Sequence, residues 1–157
     1  MATVTFKGIP VQTIGELPAV GAKAPEFSLT GSDLADVTSG SFAGKRIILN
    51  IFPSLDTGTC AASVREFNKR AASLDDTVVV CASADLPFAA GRFCAAEGID
   101  DVVSGSSFRS TFGTDFGITQ VDGPLANLLA RSVVVLDRDG TVVYTQLVPE
   151  ITTDPDY

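Results

Sequence analysis

The chain has 157 residues, an apolar fraction of 45%, a net charge of −8 and no histidine. The length suits one domain able to bury a core without metal or disulfide staples. The acidic balance, with no Lys/Arg run longer than a pair, excludes an electrostatic footprint for nucleic acid or an anionic membrane surface.

Without imidazole there is no Ser-His-Asp or Cys-His triad and no His-ligated zinc, and three cysteines are too few for a metal site of four thiolates. No apolar run approaches the ~18 residues of a membrane span. Met1–Gly21 lacks the basic start and apolar core of a secretory signal, so the expectation is a cytoplasmic protein. The odd number of cysteines then points to free thiols or redox chemistry rather than a secreted disulfide framework.

In chain order, Thr3–Lys7 and Val11–Thr13 are short β-prone stretches around Gly8-Ile9-Pro10, which predicts a hairpin. Pro18 to Pro25 reads as a connector. Glu26–Thr30 reads as a strand, followed by a polar loop to Gly44. Ile47–Phe52 is mostly apolar, the pattern of a strand buried on both faces, and Pro53 ends it.

In Cys60–Leu74, Val64, Phe67, Ala71 and Leu74 recur at three- and four-residue steps, which predicts a helix. Thr77–Ala82 is the next apolar strand. Pro87–Glu97 reads as a helix with Pro at its first position, Asp85 as the capping candidate and Gly98 as its stop. Ser107–Phe116 is a weaker helical pattern, and Ala126–Ala130 a short turn. Ser132–Asp137 and Thr141–Val148 flank the turn Asp137-Arg138-Asp139-Gly140 and predict a closing hairpin. Strands alternating with helices, then a hairpin, predict an α/β fold over residues 1–157 as a single domain: a mixed central sheet flanked by helices.

Chemistry concentrates at Cys60. A buried strand feeds a short loop, and Cys60 falls in the first turn of the helix that follows. Free N–H groups and the positive dipole end favour an anion there, and the thiolate is the nucleophilic form of cysteine. Thr57 reads equally as a hydroxyl that folds over the helix start and as a plain N-cap. Arg131 stands at the start of a strand; a cation there can stabilise a thiolate, although the residue alone reads as a surface arginine. Cys94 makes no Cys-x-x-Cys pair, and by itself is a small buried hydrophobe. Cys81, between Val80 and Ala82, reads as core.

The pattern Pro53-x-x-x-Thr57-x-x-Cys60 resembles the active-site signature of peroxiredoxins. The wider stretch from Phe52 to Asn68 resembles the bacterial thiol peroxidase branch, the atypical two-cysteine peroxiredoxins. So do Ser83–Ala89, Arg92–Gly98, Val121–Leu125, Ala130–Val135 and Gln146–Thr152. The resemblance runs nearly end to end.

It implies a thioredoxin-like fold of the peroxiredoxin type, with an added N-terminal β-hairpin, usually assembled as a homodimer. It implies Cys60 as the peroxidatic cysteine and Cys94 as the resolving cysteine of the same chain. Thr57 and Arg131 would activate Cys60 and hold the peroxide, and Pro53 would shield the pocket from water. The implied substrates are hydrogen peroxide and organic hydroperoxides, the implied reductant is thioredoxin, and no cofactor or metal is implied. Two cysteines on separate helices are expected to need local unwinding before a disulfide can form.

Two departures stand out. Relatives continue into a C-terminal helix where this sequence stops at Tyr157, so that helix is expected to be missing. Thr59 replaces the apolar residue that commonly precedes the cysteine; Thr is near-isosteric with Val, so the expected effect is small. A redox sensor or relay using the same cysteine pair is the alternative reading, separated from an enzyme by turnover.

Overall fold

A computed structural model describes residues 2–42, 44–55, 58–71, 76–99 and 101–150. The chain opens with a hairpin of β1 (Thr3–Phe6) and β2 (Ile9–Gln12), paired antiparallel from Thr3 opposite Gln12 to Phe6 opposite Ile9. Lys7 and Gly8 between them have φ of 51° and 81°, the left-handed pair that a tight two-residue hairpin requires. The turn thus falls one residue earlier than the sequence suggests, and Pro10 lies inside β2. A two-stranded ribbon tolerates a residue without an N–H there.

Among the described residues the main sheet has seven strands: β3 (Ser28–Thr30), β4 (Asp36–Thr38), β5 (Arg46–Ile51), β6 (Thr77–Ser83), β7 (Val103–Ser106), β8 (Ser132–Leu136) and β9 (Val142–Leu147). Their spatial order is β4-β3-β7-β6-β5-β8-β9. Strands β5, β6 and β7 run parallel, while β8 and β9 on one side and β3 and β4 on the other are antiparallel, so the sheet is mixed. The helices are α1 (Gly58–Ala71), α2 (Pro87–Glu97) and the single turn α3 (Phe112–Asp115).

The central strands bury both faces, which explains their nearly unbroken apolar text. Ile47, Leu49 and Ile51 of β5, Val80 and Ala82 of β6, and Val134 and Leu136 of β8 face a core closed by Phe27, Phe112 and Phe116. The alternate residues Val79, Cys81 and Val133 face a second core with Phe52, Leu55, Cys60, Val64, Phe67, Ala90 and Ile99, the layer of α1 and α2. Among the described residues, no helix is long and apolar enough to cross a membrane.

Three stretches depart from the sequence reading. The polar stretch after Thr30 contains β4 and a 3-10 turn at Ser39–Phe42, too short and polar to leave a hydrophobic period. Strand β7, Val-Ser-Gly-Ser, is hidden because glycine and serine are poor strand formers. It is nonetheless an inner strand, and Gly105 lets Leu29 of β3 press against it: a Cβ added there would lie 2.7 Å from Leu29 Cδ1. The pattern in Ser107–Phe116 condenses to α3 alone. The expected C-terminal part of the first helix, residues 72–74, lies outside the described residues.

Candidate active site

Strand order builds the site. The C-terminal end of β5, at Ile51, pairs with Ser132, the first residue of β8. The residue before β8 therefore meets the chain leaving β5, which runs through Phe52, Pro53, Ser54 and Leu55 into α1. Arg131 precedes Ser132, and alternation along β8 puts it on the same face as Val133, toward α1. The outcome is one short contact: Arg131 Nη2 donates to Cys60 Sγ at 3.1 Å. Cys60 is 0% exposed and Arg131 2%. A permanent cation is thus held against a thiol with water excluded, an environment in which the charge acts strongly on the sulfur.

Cys60 lies in the first turn of α1, as the sequence predicts. Ser63, one turn on, donates from its hydroxyl to the Cys60 carbonyl at 2.9 Å. Asn50 of β5 reaches the same serine at 3.4 Å and the Cys81 sulfur at 3.6 Å, so a buried polar chain runs beneath the first turn. Pro53 is buried at the end of β5, next to the loop it introduces. Thr57 lies outside the described residues.

Cys94 sits in the second half of α2, half-buried, its sulfur 3.3 Å from Ser104 Oγ of β7. It therefore touches the opposite half of the sheet from the strand that carries Arg131. All three cysteines are free thiols. Cys81 behaves as the sequence suggests: it is core, and burial pushes its thiol up to about 12, against a smaller opposing pull from the Asn50 hydrogen bond.

Asp85 is the residue that sequence reasoning misjudges. Leu86, not Asp85, is the N-cap of α2, and no side chain caps that helix. The Asp85 carboxylate instead accepts from Ser54 Oγ at 2.7 Å, from the Leu55 N–H at 2.7 Å and from Ser83 Oγ at 2.7 Å. It ties the loop before α1 to the junction before α2. The signal is present as a Ser-Ala-Asp run at the exit of a buried strand, where short polar side chains serve loops as readily as caps.

Fold and site point to a thiol-based oxidoreductase of thioredoxin-like architecture, with a buried free cysteine at a helix start. Comparison with known proteins agrees. The Redoxin family model matches residues 19–157. The thiol peroxidase of Corynebacterium glutamicum is 57% identical over 157 residues, covering 100% of this chain and 95% of that protein. The thiol peroxidase of Mycobacterium tuberculosis is 55% identical, covering 100% and 94%. The crystal structure of a peroxiredoxin-like protein from Aquifex aeolicus superposes with a TM-score of 0.95 at 38% identity, covering 100% and 92%. The chain belongs to the thiol peroxidases, within the peroxiredoxins, and is a thiol-dependent peroxidase.

Proposed function

We propose that Cys60 is the sulfur that takes the peroxide oxygen, and that Cys94 resolves the product to an intramolecular disulfide that thioredoxin reduces. The observation that carries this reading is the buried Arg131–Cys60 contact at 3.1 Å. The Cys60 thiolate attacks the terminal oxygen of a hydroperoxide. An S–O bond forms as the O–O bond breaks, and the departing oxygen takes a proton and leaves as water or an alcohol. Sulfur loses two electrons and becomes a sulfenic acid. The Arg131 guanidinium receives charge that moves from sulfur toward the leaving oxygen, a role fixed in advance by its burial. Thr57 is proposed as the second group on the peroxide, and Pro53 as the shield that keeps water from the sulfur.

In the second step the Cys94 sulfur attacks the sulfenic sulfur, the S–S bond forms, the S–O bond breaks and water leaves. Cys60 is anchored to Arg131 beside β8, whereas Cys94 is anchored to Ser104 on β7. The two thiols are unbonded and sit on separate helices, α1 and α2. A disulfide needs Cα atoms roughly 4.4–6.8 Å apart. The start of α1, the body of α2, or both must therefore unwind locally in the oxidised form. Thiol–disulfide exchange with thioredoxin then returns two electrons.

The protein works as a single domain, in the cytoplasm, and pairs as a homodimer; exposed Leu86 and Phe88 at the start of α2 offer apolar surface for a second copy. The test is peroxide-dependent NADPH oxidation with thioredoxin and its reductase, using hydrogen peroxide and a bulky organic hydroperoxide. Steady turnover that disappears in Cys60→Ser supports the reading. Turnover surviving in Cys60→Ser, or a single oxidation event without turnover, overturns it.

A further inference from the structure

Both cysteine-bearing helices are approached by loops, and one carboxylate holds the two loops together. Ser54 and Leu55 belong to the link from β5 to α1, while Asp85 lies two residues before Pro87, the first residue of α2. Its Oδ1 takes the Ser54 hydroxyl, and its Oδ2 takes both the Leu55 N–H and the Ser83 hydroxyl, each at 2.7 Å. Its own position is fixed from behind: the Asp85 N–H donates to Ser83 Oγ at 3.3 Å, and the Ser106 hydroxyl of β7 donates to the Asp85 carbonyl. Hydrogen bonds to an ionised carboxylate are about twice as strong as neutral ones. Three of them converge here on the seam between the two segments whose helices must rearrange.

We propose that Asp85 is a positioning residue, a latch that holds the Cys60 loop in its peroxide-reactive geometry and must release before the Cys60–Cys94 disulfide can close. This rests on the assignment of those two cysteines above. With the latch shut, Arg131 and the Cys60 sulfur are in register for the first step. With it open, the loop from Pro53 to Leu55 is freed from the start of α2, and the start of α1 can move. The latch thus sets how long the sulfenic acid waits, and during that wait a second peroxide can oxidise it to a sulfinic acid, with the peroxide O–O bond broken and water or alcohol released.

The test uses the full-length protein, reduced and mixed with hydrogen peroxide, then acid-quenched and alkylated at set times. Mass spectrometry counts thiol, sulfenic acid, disulfide and sulfinic acid. Asp85→Ala is expected to close the disulfide about tenfold faster, a change of about 1.4 kcal/mol in that barrier, and to form sulfenic acid more slowly. The peroxide concentration giving half sulfinic acid is expected to rise by about the same factor. Asp85→Asn is expected to recover the native partition in part, because its Oδ1 can take the Leu55 N–H and its Nδ2 can donate to a serine hydroxyl, but without the charge. Ser54→Ala removes one of the three bonds and shifts the partition the same way by less, should Asp85→Ala fold poorly.

A merely structural role would lower stability without moving the disulfide-to-sulfinic ratio. That result, or closure in Asp85→Ala no faster than in the native protein, overturns the latch. If the native protein forms no Cys60–Cys94 disulfide at all, the cysteine assignment itself fails, and the latch with it.

Discussion

The Arg131 guanidinium donates to the Cys60 sulfur at 3.1 Å, and both groups are sealed from solvent. Neither residue's neighbours in sequence bring this about; the pairing of Ile51 with Ser132 does. In the proposed mechanism this cation faces both the sulfur and the charge that develops as the O–O bond breaks. Arg131→Ala is expected to slow sulfenic acid formation by roughly 10²–10³-fold, the usual loss when one fixed donor to a developing charge is removed. Arg131→Lys keeps the charge but loses the planar fork and its reach, so recovery should be partial. Rapid-quench rates with circular dichroism as a folding control check both. A native rate in Arg131→Ala removes the guanidinium from the mechanism.

Cys94→Ser is expected to leave the first step intact and abolish the second. One equivalent of peroxide should be consumed at the native rate, after which the protein holds a sulfenic acid that dimedone traps. Continued turnover with thioredoxin would mean that another thiol resolves Cys60. Cys81 is poorly suited to that work, because it is buried within β6 and burial disfavours its thiolate.

Sequence speaks most clearly where one physical demand dominates. Strands β5, β6 and β8 must be apolar on both faces, and they read as such. Cys60 at a helix start and Arg131 at a strand start are both legible, but their contact is not: no local pattern encodes that β8 lies beside β5 rather than beside β6. Strand β7 stays hidden because its glycine serves a neighbour's packing, not its own propensity. Asp85 reads as a cap because caps and loop tethers use the same short side chains; only the position of Ser54 and Leu55 separates the two.

The close approach at Gly105 has a measurable consequence. A Cβ there would lie 2.7 Å from Leu29 Cδ1 and 2.9 Å from Leu29 Cβ, so the side chain cannot clear it by rotating its far end alone. Leu29 is 1% exposed, in the core beneath β3. Gly105→Ala is therefore expected to destabilise the protein by about 1–3 kcal/mol, the range for overpacking a filled core. Urea unfolding followed by far-ultraviolet circular dichroism measures it. An unchanged midpoint would show that β3 and β7 separate without cost.

Cys81 gives the chain an alkaline weakness. In the folded protein its thiol is pushed from 9.0 up to about 12 by burial. Once unfolded it ionises near its ordinary value. Between those limits the unfolded chain has lost the proton that the folded chain retains, so the unfolded state binds fewer protons and stability falls as pH rises. Below about pH 9 the effect vanishes, because both states keep the proton. The slope through the window approaches about 1.4 kcal/mol per pH unit for one proton. Cys81→Ala removes this group and no other ionisable side chain. Its unfolding free energy at neutral pH should be lower than native by the sulfur's lost packing. The gap should then narrow steadily as urea titrations move from pH 9 toward pH 11. A gap that stays constant over that range would mean that Cys81 ionises as readily inside the fold as outside it.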